Sequence, residues 1–208
     1  MKLLHIDSSI TGDGSVSKKL TRQITNKLKS EYTNLQIVYY DLNETPLPFL
    51  NSDSLKAEQK PEHEKSENEK REAVMSAQAM NDFLSADIIV IGAPMYNLSI
   101  PAQLKAWIDR ISVAGKTFRY TANGPQGLAG GKKVIIASSR GGIYSTPEGQ
   151  ASDHQETYLK TMMNFLGITD IEFIRAEGVN MGAENAAKAM NLARQAIENL
   201  SRAAATAA

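Results

Sequence analysis

Five short apolar runs punctuate the chain, and helical spacing follows most of them. The runs are residues 2–7 (KLLHID), 36–42 (QIVYYDL), 88–91 (IIVI), 133–138 (KVIIAS) and 171–176 (IEFIRA). Several are continuous and β-branched rather than alternating, the pattern of strands buried on both faces. Leu20, Ile24 and Leu28 recur at helical spacing after the first run. Val74, Ala77, Met80 and Leu84, broadened by Phe83, predict a helix before the third run, and Leu104, Ile108 and Ile111 predict one after it. Tyr158, Met162, Phe165 and Leu166 mark a fourth helix ending at Gly167, a suitable C-cap. Ala186, Met190, Ala193, Ile197 and Leu200 form the stripe of a last helix expected over about 183–204. Alternating strands and helices imply a parallel sheet covered on both faces. With no internal repeat of 20–50 residues, residues 1–208 read as one domain.

Two stretches break the rhythm. Residues 51–72 carry almost no large apolar side chain and read as a solvated loop leading into the polar first turns of a helix. Residues 115–131 are Gly-rich, with Thr117-Phe118-Arg119-Tyr120 and Asn123-Gly124-Pro125 embedded in turn chemistry. Lys18, Lys19, Arg22 and Lys27 fall outside the apolar stripe of the first helix and are expected on the surface.

Composition narrows the function classes. Formal net charge is zero, which gives no electrostatic pull towards nucleic acid or anionic lipid. Cysteine is absent, excluding disulfides, thiolate metal sites and a Cys nucleophile. No window approaches 18 uncharged apolar residues, and the N-terminal apolar run is broken at Asp7, too early for a signal peptide. A soluble, cytoplasmic protein is the expectation.

In a doubly wound sheet, ligands bind beyond the C-terminal ends of the strands. The loop after the first strand offers Ser8, Ser9, Thr11, Gly12, Gly14, Ser15 and Ser17. Ser15 or Ser17 suits the N-cap of the helix that follows. Hydroxyls, backbone amides and a helix N-terminus together bind a phosphate monoester. The Gly-Lys-Ser/Thr ending of a P-loop is missing, and Ser17 stands where the dinucleotide fingerprint needs its third Gly. Asp41 is read as a strand-end turn former. The loop after the third strand, Met95-Tyr96-Asn97-Leu98, adds apolar faces and one amide, and Pro101 opens its helix. Ser139-Arg140-Gly141-Gly142, after the fourth sheet strand, exposes backbone amides with little bulk. A flat heteroaromatic with polar edges would use both loops. His5 is expected in or near the core, His63 in solvent and His154 just before a helix. No metal-ligand spacing and no G-x-S-x-G elbow occurs.

Ala93-Pro94-Met95-Tyr96-Asn97, Thr117-Phe118-Arg119-Tyr120-Thr121, Asn123-Gly124-Pro125, Ser139-Arg140-Gly141-Gly142 and Ala176-Glu177-Gly178 occur in this order. On these motifs the chain resembles the FMN-dependent NADH-azoreductases of the flavodoxin-like superfamily, relatives of the NAD(P)H quinone oxidoreductases, essentially end to end. The resemblance implies a flavodoxin-like α/β fold with a five-stranded parallel sheet in the order 2-1-3-4-5 and helices on both faces. It implies a homodimer with one FMN per subunit and NADH as co-substrate. By motif match, Ser9, Ser15, Val16 and Ser17 would hold the FMN phosphate. Met95, Tyr96, Asn97 and Leu98 would line the isoalloxazine, as would Ser139, Arg140, Gly141 and Gly142, and Tyr120 would shape the substrate pocket beside the partner's flavin. Leu98 stands where such enzymes commonly carry Phe, which removes a stacking surface. The implied reaction is ping-pong: hydride passes from NADH through FMN to a quinone or azo compound, giving quinols or aromatic amines, with no catalytic side chain required. Arg119 and Arg140 are open to a cofactor 2′-phosphate contact, a structural role or a dimer contact. A flavodoxin-type electron carrier is the alternative, but carriers of that kind tend to be smaller and strongly acidic. A Ser-dependent hydrolase would need a base that the sequence does not supply.

Overall fold

The apolar runs become strands whose side chains point alternately to opposite faces, and residues 88–94 and 133–139 are buried on both. The computed structural model describes residues 1–200. In order, they form β1 (Lys2–Asp7), α1 (Val16–Glu31), β2 (Gln36–Asp41), α2 (Ser52–Gln59), α3 (Glu67–Ser85), β3 (Ile88–Pro94) and α4 (Ala102–Ile111). There follow β4 (Phe118–Thr121), β5 (Gly124–Gly127), β6 (Lys133–Ser139), α5 (Pro147–Gln150), α6 (Glu156–Phe165), β7 (Asp170–Ala176) and α7 (Ala183–Glu198). The sheet is five-stranded, in the order β2-β1-β3-β6-β7, and its ladders are parallel. The expected 2-1-3-4-5 count is altered because the Gly-rich segment forms two more strands. These are β4 and β5, which pair antiparallel with each other outside the sheet.

Leu4, Ile6, Ile89, Ile91, Val134 and Ile136 face one layer, where Phe83, Trp107, Leu159 and Met163 cover them. Their chain neighbours Leu3, Ile88, Val90 and Ile135 face the other, against Leu20, Ile24, Ala193 and Ile197. This two-residue alternation is the reason the central strands read as unbroken apolar runs. Trp107 is fully buried and meets Phe83 edge-on at 5.8 Å. The hairpin formed by β4 and β5 sits against the C-terminal end of α6, where Phe118 packs 4.4 Å from Phe165. A Cβ at Gly127 would run into the backbone of Gly167. Among the described residues no helix is long and apolar enough to cross a membrane.

Three expectations need correction. Residues 51–72 are not mainly loop: they contain α2 and the start of α3, each opened by a capping box, Asn51 with Ser54 and Ser66 with Glu69. Most of the segment is solvent-exposed, but Ser54 and Glu69 are buried and some of its polar groups pair inward. The buried Arg110 of α4 donates to the Pro48 carbonyl from Nε and Nη2 at 2.8 and 2.7 Å, to Ser76 Oγ and to Glu72, which also accepts from Ser54. Second, α3 is rotated from its expected face, burying Ala79, Met80 and Phe83 while Val74 and Leu84 stay exposed. Third, Lys18 is not on the surface; it is buried and paired with Asp41. Helix α7 ends at Glu198, short of the expected span, whose residues 201–204 lie outside the described residues.

Candidate functional site

The site is assembled at the C-terminal edge of the sheet, starting from a buried carboxylate. Asp7 ends β1 without solvent exposure, accepting from Thr21 Oγ1 at 2.8 Å and Tyr39 OH at 3.0 Å, with His5 Nε2 at 3.5 Å. Gly92 of the adjacent strand makes room for it: a Cβ there would stand 2.7 Å from Asp7 Oδ1. Burial pushes the Asp7 carboxyl up, but the His5 imidazole and the Thr21 and Tyr39 hydroxyls outweigh it and hold it below its ordinary 3.8. The Tyr39 hydroxyl is pushed well above its usual range by burial and by the Asp7 charge.

A carboxyl depressed in the folded state contributes stability above its unfolded pKa, and that contribution is lost as pH falls through the folded value. Asp7→Asn should therefore lower unfolding free energy at pH 7 by about 1–3 kcal/mol. It should also flatten the decline of stability below about pH 4. Urea titrations at pH 7, 4 and 3 check both; an unchanged acid slope would remove Asp7 from the account.

After Asp7 the chain turns into the hydroxyl-rich loop. Ser8 donates to the Gly92 carbonyl at 2.6 Å, locking the loop to β3. Ser15 caps α1 by accepting from the Lys18 amide at 3.1 Å, and its hydroxyl meets that of Ser17 at 3.1 Å. The amides of Val16 and Ser17, in the first turn, have no partner within the helix. Asp13 turns its side chain entirely to solvent. The head of α1 thus carries the buried hydroxyls of Ser15 and Ser17 beside its first-turn amides, with Lys18 neutralised behind it by Asp41.

The loop after β3 is tied to both neighbours. The Tyr96 hydroxyl lies 3.2 Å from Ser9 Oγ and accepts from the Ile10 amide at 3.2 Å, while the Met95 amide donates to the Ser139 carbonyl at 2.8 Å. Tyr96 and Ser99 exchange backbone hydrogen bonds around a two-residue turn in which Asn97 and Leu98 both have positive φ, 49° and 70°. Asn tolerates that conformation. Leu does not, at a cost of about 1–2 kcal/mol, so Leu98 is strained and at the same time 40% exposed. Strain of this kind collects at functional loops.

Ser139 closes β6, and the three residues after it divide in two. Gly141 and Gly142 are half-buried, with no side chain to cover the site. The Arg140 side chain turns inward, 1% exposed, and its guanidinium meets Asp153 at 3.0 Å, Glu177 at 3.0 Å and Glu156. A 2′-phosphate contact by this side chain is thereby excluded, and only its backbone faces the loop cluster. Burial pushes Glu177 up, but Ser145, the Tyr144 amide and Arg140 together hold it below the usual carboxylate range.

The structure therefore joins Ser9 with Tyr96, Ser15 with Ser17, and Met95 with Ser139. Tyr120 stands apart on β4, 75% exposed and edge-on to Phe118, and Arg119 is exposed beside it, bonded to Gln126. Sequence reasoning missed Asp7, Asp153, Gln155, Glu156 and Glu177. Buried polar residues scattered along a chain leave no periodic trace.

A sequence model of the flavodoxin-like fold family matches residues 1–200, which sets the class of the protein. An FMN-dependent NADH:quinone oxidoreductase of Acidovorax ebreus is 52% identical over 95% of this chain and 92% of its own length. The protein of the same description from Chromobacterium violaceum is 44% identical over 96% and 99%. Among solved structures, an azoreductase from Bacillus anthracis str. Sterne has a TM-score of 0.88 at 31% identity, covering 96% of this chain and 97% of that one. An FMN-dependent NADH-azoreductase from Bacillus anthracis str. Ames Ancestor, in complex with FMN, has a TM-score of 0.85 at 28% identity over 96% and 99%. The chain belongs to the flavodoxin-like family of FMN-dependent NADH:quinone oxidoreductases and NADH-azoreductases.

Proposed function

We propose that the chain binds FMN at this loop cluster and acts as an NADH:quinone oxidoreductase and azoreductase. The observation that carries the reading is the junction of three strand-end loops through the Tyr96–Ser9 and Met95–Ser139 contacts. The donor set fits the cofactor. Hydroxyls of Ser9, Ser15 and Ser17 with the amides of Val16 and Ser17 suit a phosphate monoester at the head of α1, where the helix dipole favours an anion. Met95, Tyr96, Asn97 and Leu98 would line one side of the isoalloxazine, and the backbone of Ser139, Arg140, Gly141 and Gly142 would supply donors at its edge.

The chemistry the bound group supplies is two-electron hydride transfer, taken from NADH and passed on to a quinone or azo compound. The residues position and shield. Leu98 offers an apolar face to whatever stacks above the ring system, without the flat surface a Phe would give. Gly141 leaves room for the Asn180 side chain, which would stand 2.8 Å from a Cβ there, and Gly142 lies against the Tyr144 ring. The same place serves donor and acceptor in turn, so a ping-pong cycle follows and no acid–base triad is needed. A homodimer belongs to the same reading. It is supported by the exposed Tyr120 on a hairpin that stands outside the sheet, available to a partner's site. The expected cytoplasmic location is kept as part of this proposal.

The purified protein should be yellow, and NADH added anaerobically should bleach the flavin absorbance directly, with benzoquinone restoring it. A colourless protein that takes up no added FMN would overturn the reading. A bound flavin that NADH leaves unbleached would favour an electron carrier instead.

A further inference from the structure

Gln155 has no solvent exposure and sits at the N-terminus of α6, away from every motif quoted above. Its amide makes three of the four hydrogen bonds open to it. Nε2 donates to the Ala93 carbonyl at 2.7 Å, and Oε1 accepts from Arg140 Nε at 3.0 Å and Ser138 Oγ at 3.2 Å. A carbonyl on one side and two donors on the other fix which end of the amide faces which.

These contacts fall where the sheet stops. The ladder between β3 and β6 ends at the Ala93–Ser138 and Pro94–Ser139 pairs, and Pro94 has no N–H to extend it. Beyond that point lie the two loops that face the site. Gln155 links their roots, one contact to the strand entering Met95 and two flanking Ser139. The neighbouring residues hold the other end of the first loop. The His154 amide donates to the Leu98 carbonyl at 3.1 Å, and Ser99 Oγ donates to the His154 carbonyl at 3.3 Å. Asp153 steadies this segment: Oδ1 accepts from the Gln155 and Glu156 amides at 3.0 Å each, and Oδ2 meets Arg140. Residues 153–155 therefore grip residues 93–99 at both ends, around the strained Asn97–Leu98 turn.

We infer that Gln155 is a positioning residue. It fixes the spacing of the 93–99 and 138–142 loops, and so the geometry of the flavin slot, without touching cofactor or substrate itself. The inference rests on the FMN reading above. A purely structural role would affect the stability of α6 and leave flavin retention alone.

The test compares Gln155→Met, which keeps length and removes the amide, with Met163→Ala. Met163 is fully buried in the same helix and makes none of these contacts. Full-length holoproteins are diluted, FMN release is followed by the recovery of flavin fluorescence, and the visible circular dichroism of bound flavin is recorded. Gln155→Met should raise the FMN Kd at least tenfold and change the dichroism, while Met163→Ala lowers the melting temperature and leaves Kd within twofold of wild type. Gln155→Glu keeps the acceptor contacts but sets a carboxylate oxygen against the Ala93 carbonyl and adds a negative charge beside Asp153 and Glu156, so it should raise Kd at least threefold; it carries the test if Gln155→Met does not fold. Wild-type retention in the Gln155 variants, or an equal loss in Met163→Ala, overturns the assignment. A wild-type protein that retains no FMN overturns the underlying reading instead, before any variant is compared.

Discussion

Arg140→Met is expected to lower the unfolding free energy by about 3–5 kcal/mol, the cost of leaving buried carboxylates without their cation. The guanidinium reaches Asp153, Glu156 and Glu177 at once, and Arg175 offsets only part of the charge by bonding Glu156 at 2.9 and 2.7 Å. Methionine fills much of the volume but supplies no donor, so carboxylates held close together lose their common partner. Lysine would recover part of the loss, because one ammonium cannot match a planar fork with three acceptors in different directions. The partly exposed contrast is Lys27–Glu31 on α1 at 2.8 Å, with side chains 23% and 20% exposed, where Lys27→Ala should cost about 0–1 kcal/mol. Urea unfolding at pH 7 measures both. A loss below about 1 kcal/mol for Arg140→Met would show that water reaches the cluster and that its burial is overstated.

Trp107→Ala should cost a similar amount, about 3–5 kcal/mol, for a different reason. The ring fills the layer between β3 and α3 and touches Phe83 edge-on. Alanine leaves a cavity that close-packed neighbours fill only in part. Trp107→Phe separates volume from polarity. The buried indole Nε1 has no hydrogen-bond partner among the described residues, so phenylalanine removes a desolvated donor as well as some packing. The two effects oppose each other, and Trp107→Phe should lie within about 1 kcal/mol of wild type. Thermal and urea unfolding of both variants check the pair. A Phe variant as unstable as the Ala variant would mean the indole shape alone governs this site.

The sheet was legible because each of its strands is a local apolar run, and its two covering layers follow from the two-residue alternation within those runs. The hairpin of β4 and β5 was not legible. Its Gly-rich sequence signals turns, and its strands pair only with each other while Gly127 backs onto Gly167. Helix α2 was missed because its sequence has the composition of a solvated loop, whereas its Ser54 bonds Glu72 of α3, which in turn pairs with Arg110. For the site, the loops carrying Ser9 to Ser17, Met95 to Leu98 and Ser139 to Gly142 could be chosen from sequence by the rule that ligands sit at strand ends. Their contacts could not. The Tyr96 hydroxyl reads as part of a flavin wall, yet it is bonded to Ser9 and Ile10 on another loop.

By itself, the sequence determined the strand–helix alternation, the family and the three loops, because periodicity and short motifs are encoded between near neighbours. Tertiary structure alone decided which charges are buried. Lys18 reads as surface from its helical phase and is held inside by Asp41, 23 positions away. Arg140 reads equally as a cofactor contact, a structural residue or a dimer contact, and is drawn inward by carboxylates at 153, 156 and 177. Only the folded chain brings such partners together, and in a low-dielectric interior their pairing, rather than the hydropathy of either residue, sets where each side chain goes.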